Sequence, residues 1–261
     1  MRHRPLGFAV ALSMVVIGAA SVEAAAPLTA HPASGSFDLP TDAGVLYSQL
    51  DDPSGSAFLD QAFETSYAAY SNLGADDFVV VSAQGWDITT VHTPGVLVPT
   101  SGHVPAFVNV AFHTDSGGLP GSIVSGCDFP ASTDFATDGS GDLSIRVACN
   151  LPPGVFWYSQ QVRIDFSLPP FVQHLWATRN TAEGNLAAWR NPFNGFGFGC
   201  ENWTPAVDCG SQAGPDNLFE LLGSEREDGD GPAVPAQGTW GTGLLAICLV
   251  AGATLVLLRR H

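Results

Sequence analysis

The sequence predicts an all-β protein, an antiparallel β-sandwich or jelly-roll-like domain, followed by a C-terminal transmembrane helix. Short apolar runs rich in β-branched residues recur between residues 46 and 223, and turns containing Gly and Pro separate them. The 29 glycines and 19 prolines are typical of a chain with many loops. Residues 58–70 are the one segment whose composition suggests a helix, but their apolar residues do not recur with the helical period of 3.6. They are therefore predicted to form a loop or an edge strand.

The clearest strand signal lies at residues 106–114. Val108, Val110 and Phe112 fall on one face by strict alternation, and the residues between them fall on the other face. This period of two predicts a half-buried strand. Residues 155–166 are predicted to form a long central strand. The other predicted strands are 78–82, 86–98, 143–148, 173–179 and 217–223, with turns at 115–121 and 152–154.

The two ends of the chain differ from this pattern. Residues 1–24 contain Arg2 and Arg4, then an apolar run, then small residues up to Ala24, which is the order of a secretory signal peptide. Residues 25–45 are rich in Ala, Pro and Ser and predict a flexible lead-in. The predicted β domain covers 46–223, and the acidic residues 224–233 predict an extended linker.

The charge is strongly negative. Between residues 27 and 233 there are 24 acidic side chains against five arginines, so the surface repels phosphate and nucleic acid is excluded as a partner. Two explanations remain, a self-repelling exported surface or calcium sites of the extracellular kind. Adjacent strand residues point to opposite faces, which disfavours chelation by a neighbouring pair. The candidate calcium ligands are Asp76, Asp77, Asp138 and Asp142.

Four cysteines lie in the predicted β domain, and Cys248 lies in the terminal apolar run. An even number in an exported chain predicts two disulfides, for which three connectivities exist. Local pairing closes the shorter loops and is favoured, whereas the wide spacing disfavours zinc. The favoured pairs are Cys127 with Cys149 and Cys200 with Cys209.

No catalytic motif is present. The sequence lacks a Gly-x-Ser-x-Gly nucleophile elbow and an H-E-x-x-H motif, so no enzymatic activity and no cofactor other than the candidate calcium are predicted. A hydrolase with paired carboxylates stays open, because a sequence does not give their separation. The glycine-rich residues 195–200 lack the flanking strand and helix of a dinucleotide loop. They are predicted to form a loop whose Phe193, Phe196 and Phe198 pack on the domain.

Tryptophans suggest a second kind of site. Trp157, Trp176 and Trp189 are candidates for a sugar-binding platform, because an exposed indole stacks on a pyranose face, and carbohydrate is a candidate partner. Arg179 and Arg190 stand close to two of these indoles in the sequence. The structural alternative for them is a guanidinium that stacks on an indole or pairs with an aspartate.

The C-terminal residues 234–261 read VPAQGTWGTGLLAICLVAGATLVLLRRH. Their order resembles the IPTL-CTERM sorting signal of exported proteins of Gram-negative bacteria, with Ala-Gln in place of its Thr-Leu. Residues 241–258 carry no charge and span about 27 Å as a helix, enough to cross a bilayer core. The resemblance implies a membrane helix there, with signal peptidase and a sorting protease as partners. The residues that carry it are Val234, Pro235, Trp240, Gly241, Arg259 and Arg260.

The body of the chain also shows a resemblance. ADDF at 75–78, DSGGLPG at 115–121, and NPFNGFGFGC at 191–200 followed by Trp203 resemble a β-rich domain of uncharacterised secreted bacterial proteins. The resemblance implies a surface or extracellular role and transfers no catalytic residue. The sequence thus predicts an exported protein, anchored at least transiently in the membrane, with a binding or structural role. A carbohydrate-binding module and a secreted hydrolase are the alternatives.

Overall fold

The structure is a computed structural model that describes residues 43–100, 103–167, 169–211 and 213–227. The predicted signal peptide, most of the lead-in, the end of the linker and the sorting tail lie outside these ranges. The tail residues Val234, Pro235, Trp240, Gly241, Arg259 and Arg260 are therefore not described. Within the four ranges, no helix is both long and apolar enough to cross a membrane.

Strands dominate the described ranges, and two short 3-10 helices interrupt them at Thr65–Tyr70 and Ala206–Cys209. The strands are β1 (Gly44–Ser48), β2 (Pro53–Leu59), β3 (Gln61–Ala62), β4 (Leu73–Val80), β5 (Trp86–Thr93), β6 (Gly95–Val98), β7 (Phe107–Asp115), β8 (Pro120–Ser132), β9 (Phe135–Thr137), β10 (Leu143–Leu151), β11 (Gly154–Arg163), β12 (Gln173–Arg179), β13 (Ala188–Arg190), β14 (Thr204–Pro205), β15 (Asp216–Asn217) and β16 (Glu220–Glu225).

The strands form three mostly antiparallel sheets, which confirms the predicted all-β antiparallel class. One sheet has the order β1-β16-β5-β10-β9, and a second has the order β14-β13-β4-β11-β7-β8, with β3 parallel to β11. The third has the order β15-β12-β2, with β6 also beside β12. Strand β11 lies between β4 and β7, so the segment 155–166 does contain a central strand.

The main hydrophobic core lies between the five-stranded and seven-stranded sheets. Val108, Val110 and Phe112 of β7 are almost completely buried there, against side chains of β5 and β10 that include Ile145. The opposite face of β7 is also covered at His113, which is 4% exposed. The prediction that this strand is half-buried is therefore wrong, because further residues pack over its second face.

Both disulfides join the cysteines that are closest in sequence. Cys127 on β8 bonds to Cys149 on β10, so this bridge connects the two sheets inside the core. Cys200 bonds to Cys209 and encloses a small cluster against Trp189. These are the local pairs that loop length favours.

Some elements differ from the sequence predictions. Strand β8 runs over 13 residues where the sequence suggested only a turn up to residue 121. It is an edge strand whose pairing with β7 shifts register several times. Its sequence is rich in Gly and Ser and shows no regular alternation of apolar and polar residues. Residues 58–70 contain the end of β2, all of β3 and the first 3-10 helix. Strand β1 begins inside the predicted lead-in, and β16 extends into the predicted linker.

Candidate functional site

A surface cleft with a volume of about 230 Å³ is the principal candidate site. It combines apolar walls with two carboxyl groups, those of Asp77 and Glu183. Val79 and Val81 line it and remain 45% and 76% exposed, which is unusual for apolar side chains. The complete lining is Leu46, Tyr47, Asp77, Phe78, Val79, Val81, Trp86, Glu183 and Gly184.

Tyr47 is held in one orientation at the wall of the cleft. Its ring packs against Phe219, with the ring centroids 5.4 Å apart, and its hydroxyl donates to Gln49 Oε1 at 2.7 Å. Gln49 Nε2 in turn donates to Asp76 Oδ2 at 2.8 Å. Burial, followed by the nearby carboxylates of Glu183 and Asp76, raises the pKa of Tyr47. The phenol therefore stays protonated and acts as a donor.

Asp76 lies beneath the cleft and is fully buried. Besides Gln49, the backbone N–H groups of Asn217 and Asp77 donate to its carboxylate, at 2.6 Å and 2.9 Å. Burial and the neighbouring Asp216 raise the pKa of Asp76, and the two backbone hydrogen bonds oppose that change. Its oxygens connect β4 to β15 and to Gln49, which follows β1, and they already accept these hydrogen bonds.

Two further carboxylates fix the loop that follows β12. Asn185 donates to Asp77 through its backbone N–H at 3.0 Å and through Nδ2 at 2.8 Å. The Glu183 N–H donates to Asp216 Oδ2 at 2.6 Å. Gly184 has φ +83°, and a Cβ there would lie 2.7 Å from Asp77 Oδ2, so only glycine fits. Burial raises the pKa of Asp77, and it raises that of Asp216 to about 6.

Glu183 itself is part of an ion-pair cluster at the cleft. Arg179 donates to Glu183 Oε2 at 3.3 Å and to Asp51 Oδ1 at 2.8 Å. Arg179 thus pairs with an aspartate, as the structural alternative predicted. Asp77 and Glu183 line one cleft. Asp77 accepts hydrogen bonds from Asn185, and Glu183 accepts one from Arg179.

The candidate calcium ligands do not form a common site. Asp76 and Asp77 are neighbours in β4, and their oxygens accept the hydrogen bonds described above. Asp138 Oδ1 accepts from the Ser140 N–H at 2.8 Å, and Asp142 Oδ1 accepts from the Gly95 N–H at 2.9 Å. No group of three His, Cys, Asp or Glu side chains in the described ranges has an arrangement that could hold a metal. The geometry corrects the assignment of these residues to calcium.

The prediction that three tryptophans form a sugar-binding platform is wrong as well. Trp157, Trp176 and Trp189 are 0%, 1% and 2% exposed, so no indole face is available for a pyranose. Their N–H groups donate to Asp115 Oδ1, Leu218 O and Leu59 O, respectively. These tryptophans are core residues, and burial of their large indole rings stabilises the domain.

The partly exposed indole among the described tryptophans belongs to Trp203. The Arg190 guanidinium lies over it, 4.6 Å from the ring centroid. In the preceding glycine-rich loop, Phe196 and Phe198 lie near Trp189, at centroid distances of 5.9 Å and 6.3 Å. Phe193 is 70% exposed, so the prediction that it packs on the domain is wrong.

A serine and a histidine form a pair that the sequence did not suggest. Ser159 Oγ lies 2.8 Å from His113 Nε2, and His113 Nδ1 lies 3.2 Å from the Gly121 carbonyl. Burial lowers the pKa of His113, which keeps the imidazole neutral. Both residues are buried, and Trp203 packs edge-on against His113. The pair therefore stabilises the sheet and is not placed to meet a substrate.

Sequence analysis missed Tyr47 and Glu183 as site residues. Tyr47 stands at the boundary of the predicted lead-in, and Glu183 lies in a segment with no strand or helix pattern. The Glu183-Gly184-Asn185 sequence carries a weak signal, because a glycine between two polar residues is typical of a tight, functional loop. That signal does not indicate which strand the loop contacts.

Comparisons with known proteins identify no family. No protein-family model and no curated protein matches the chain. One solved structure to which part of this chain is similar contains the cysteine protease and lectin-like domains of a surface-layer-associated protein of Clostridium difficile. The TM-score is 0.41 and the identity 12%, over 59% of this chain and 32% of that chain. The match thus spans about a third of that chain.

Proposed function

We propose that this chain is an exported β-sandwich domain that binds a ligand at the cell surface or outside the cell. Support for export comes from the two disulfides, because cytosolic thiols are normally kept reduced. The predicted signal peptide at residues 1–24 agrees with this location. The acidic surface keeps such a domain soluble and monomeric through self-repulsion.

The observation that carries the binding role is the cleft between β1 and β4. Its rim exposes apolar side chains, with Val79 at 45% and Val81 at 76%. A contiguous exposed apolar patch beside polar groups is typical of an interaction site. The cleft therefore has the composition of a surface that another molecule covers.

The occupant that fits best is an extended segment of a partner protein with alternating apolar and basic side chains. Within the described ranges β1 pairs with β16 along one edge, and its other edge offers backbone groups to a further strand. Val79 and Val81 would contact apolar side chains of that segment. Glu183 and the acidic surface around it would attract basic ones.

Peptide binding tests this function directly. The probes are two extended nine-residue peptides, one alternating valine with lysine and one alternating valine with glutamate, titrated against the full chain in mild detergent. We expect the lysine peptide to bind at least about tenfold more tightly than the glutamate peptide, because of charge complementarity. Val81→Asp and Glu183→Gln should weaken its binding.

The matched control is Val207→Asp, which changes an exposed valine outside the cleft and should leave peptide binding unchanged. Equal affinity for the two peptides, or wild-type affinity of Val81→Asp, would show that this cleft is not the binding site. Thermal unfolding of each variant separates lost binding from lost folding.

The C-terminal tail is proposed to act as an IPTL-CTERM-like sorting signal. Its helix at about 241–258 would span the membrane, with Trp240 at one interface and Arg259 and Arg260 on the cytoplasmic side. Intact-mass measurement of the protein from membrane and medium tests this. A released form that ends between residues 234 and 241 supports tail removal. A full mature mass confined to the membrane indicates a simple anchor instead.

A further inference from the structure

Arginine is scarce in this acidic chain, and its placement is informative. Four arginines lie on strands, and three of them have carboxylate partners. Arg146 pairs with Asp134, Arg163 with Glu64, and Arg179 with Asp51 and Glu183. Arg190 on β13 has no carboxylate partner within the described part of the chain. With 24 acidic residues against five arginines between residues 27 and 233, this is not caused by a shortage of carboxylates.

The Arg190 guanidinium is held in a fixed position. It lies over the Trp203 ring at 4.6 Å, and Trp203 itself packs against a small cluster of Ala75, Trp157 and Ala188. The Cys200–Cys209 disulfide lies next to this segment and restrains it. A guanidinium stacked on an indole loses little further freedom when it binds a ligand, so the site is pre-organised.

The charge of Arg190 is poorly compensated inside the protein. No carboxylate of the described ranges pairs with it, and burial lowers its pKa. Its Nε is buried without an acceptor, as is the Nε of the paired Arg179, so the missing carboxylate and not the Nε distinguishes Arg190. The neighbouring His113 is neutral, because burial lowers its pKa, and the Ser159 hydroxyl can donate to its unprotonated Nε2 while Nδ1–H donates to the Gly121 carbonyl. Among the described residues around Trp203, Arg190 is therefore the one cation, and an external anion would supply the partner that the fold does not.

We infer that Arg190, stacked on Trp203, is a binding site for a carboxylate-bearing ligand. The flat guanidinium presents two parallel N–H groups, a geometry that matches the two oxygens of a carboxylate. A singly charged carboxylate is favoured over phosphate, because the negative charge of the whole domain repels a dianion more strongly. The site is separate from the cleft proposed above and does not depend on it.

Four small molecules test this site: acetate, D-glucuronate, D-glucose and inorganic phosphate. Each is titrated into the isotope-labelled full chain in detergent, and the indole N–H signal of Trp203 is followed by NMR. We expect acetate and glucuronate to shift this signal saturably, glucose to cause no shift, and phosphate to bind more weakly than acetate. Tighter binding of glucuronate than acetate would identify a sugar acid as the source, and equal binding would identify the carboxylate alone.

Variants locate the site. Arg190→Ala should reduce carboxylate affinity by about tenfold or more, and Arg190→Lys should reduce it less, since the charge remains but the two-pronged geometry is lost. Arg146→Ala removes a paired strand arginine and should leave binding unchanged. The inference is overturned if glucose and glucuronate shift the Trp203 signal equally, or if Arg190→Lys and Arg190→Ala both retain wild-type affinity. The comparison of glucose with glucuronate on the wild-type chain still tests the inference if a variant fails to fold.

Discussion

His174 and Asp60 form a buried ion pair inside the domain. His174 Nδ1 lies 2.6 Å from Asp60 Oδ1, and both side chains are 1% exposed. His174 Nε2 lies 2.9 Å from the Gly141 carbonyl oxygen. Because both ring nitrogens face acceptors, both carry a proton, and the imidazole is a cation. Gln160 also donates to Asp60, at 2.6 Å, so the buried carboxylate has two partners from two strands.

Removing one member of this pair should destabilise the protein strongly. His174→Ala leaves the Asp60 carboxylate buried without its counter-charge, and we expect the free energy of unfolding to fall by about 3–5 kcal/mol. Urea denaturation of the full chain in detergent measures it. His92→Ala, which removes a partly exposed histidine hydrogen-bonded to Ser144, is the control and should cost much less. A loss below about 1 kcal/mol for His174→Ala would contradict a charged pair.

The same pair predicts a dependence of stability on pH. Burial alone would lower the pKa of His174, but the charge and hydrogen bond of Asp60 and the Gly141 carbonyl raise it overall. A histidine whose folded pKa is raised stabilises the protein fully below its unfolded pKa. This contribution is lost as pH rises through the folded pKa. The difference in unfolding free energy between wild type and His174→Ala should therefore shrink as pH rises above about 6.5. A constant difference across this range would contradict the prediction.

Asp216 should make the protein less stable at neutral pH than at mildly acidic pH. Burial raises its pKa from 3.8 to about 6, so the folded state binds more protons than the unfolded state between these values. Stability then falls as pH rises through this window. Asp216→Asn keeps an acceptor for the Glu183 N–H. It should stabilise the protein at pH 7 by about 1–2 kcal/mol after allowance for solvent screening, and not at pH 3.5.

Asp208→Asn serves as the control for this experiment, because Asp208 is exposed and should change stability by less than about 0.5 kcal/mol. Thermal unfolding at several pH values measures both variants. Destabilisation of Asp216→Asn at pH 7 would mean that the charge of Asp216 is needed by the loop it holds.

The two disulfides should contribute unequally. Cys127 and Cys149 are 22 residues apart and lie in the main core, whereas Cys200 and Cys209 are nine apart and lie in a small separate cluster. Loss of loop-closure entropy in the unfolded chain alone predicts that each disulfide stabilises the fold by about 3 kcal/mol, with somewhat more for the longer loop. Replacement of the first pair by alanine also leaves a cavity between the sheets and should cost about 1 kcal/mol more. Denaturant unfolding of the two double variants compares them, and the reverse order would contradict this.

Trp176 should behave as a core residue. Trp176→Phe removes the donor to the Leu218 carbonyl at 2.7 Å and leaves that buried oxygen without its partner. We expect a loss of about 2–4 kcal/mol in the free energy of unfolding, from the lost volume and the lost hydrogen bond. Phe193→Ala is the control, because Phe193 is 70% exposed and should change stability by less than about 0.5 kcal/mol. Similar losses for the two variants would contradict the assignment.

Local patterns in the sequence predicted those features of the fold that depend on neighbouring residues. The alternation of Val108, Val110 and Phe112 predicted β7, because successive strand residues point to opposite faces. Short separations predicted the disulfide pairs, because short loops close readily. Strand β8 was missed, because an edge strand that is partly exposed and irregular needs no continuous apolar face.

The sequence by itself determined that this chain folds into antiparallel sheets, that its four β-domain cysteines pair locally, and that its surface is acidic. Only the tertiary structure decided which aromatic and charged side chains meet. Trp189 and Arg190 are neighbours in β13 and therefore point to opposite faces, so Arg190 stacks on Trp203 instead. Tyr47, Asp77 and Glu183 form one cleft because β1, β4 and a loop after β12 are brought together by long-range pairing, which no local pattern records.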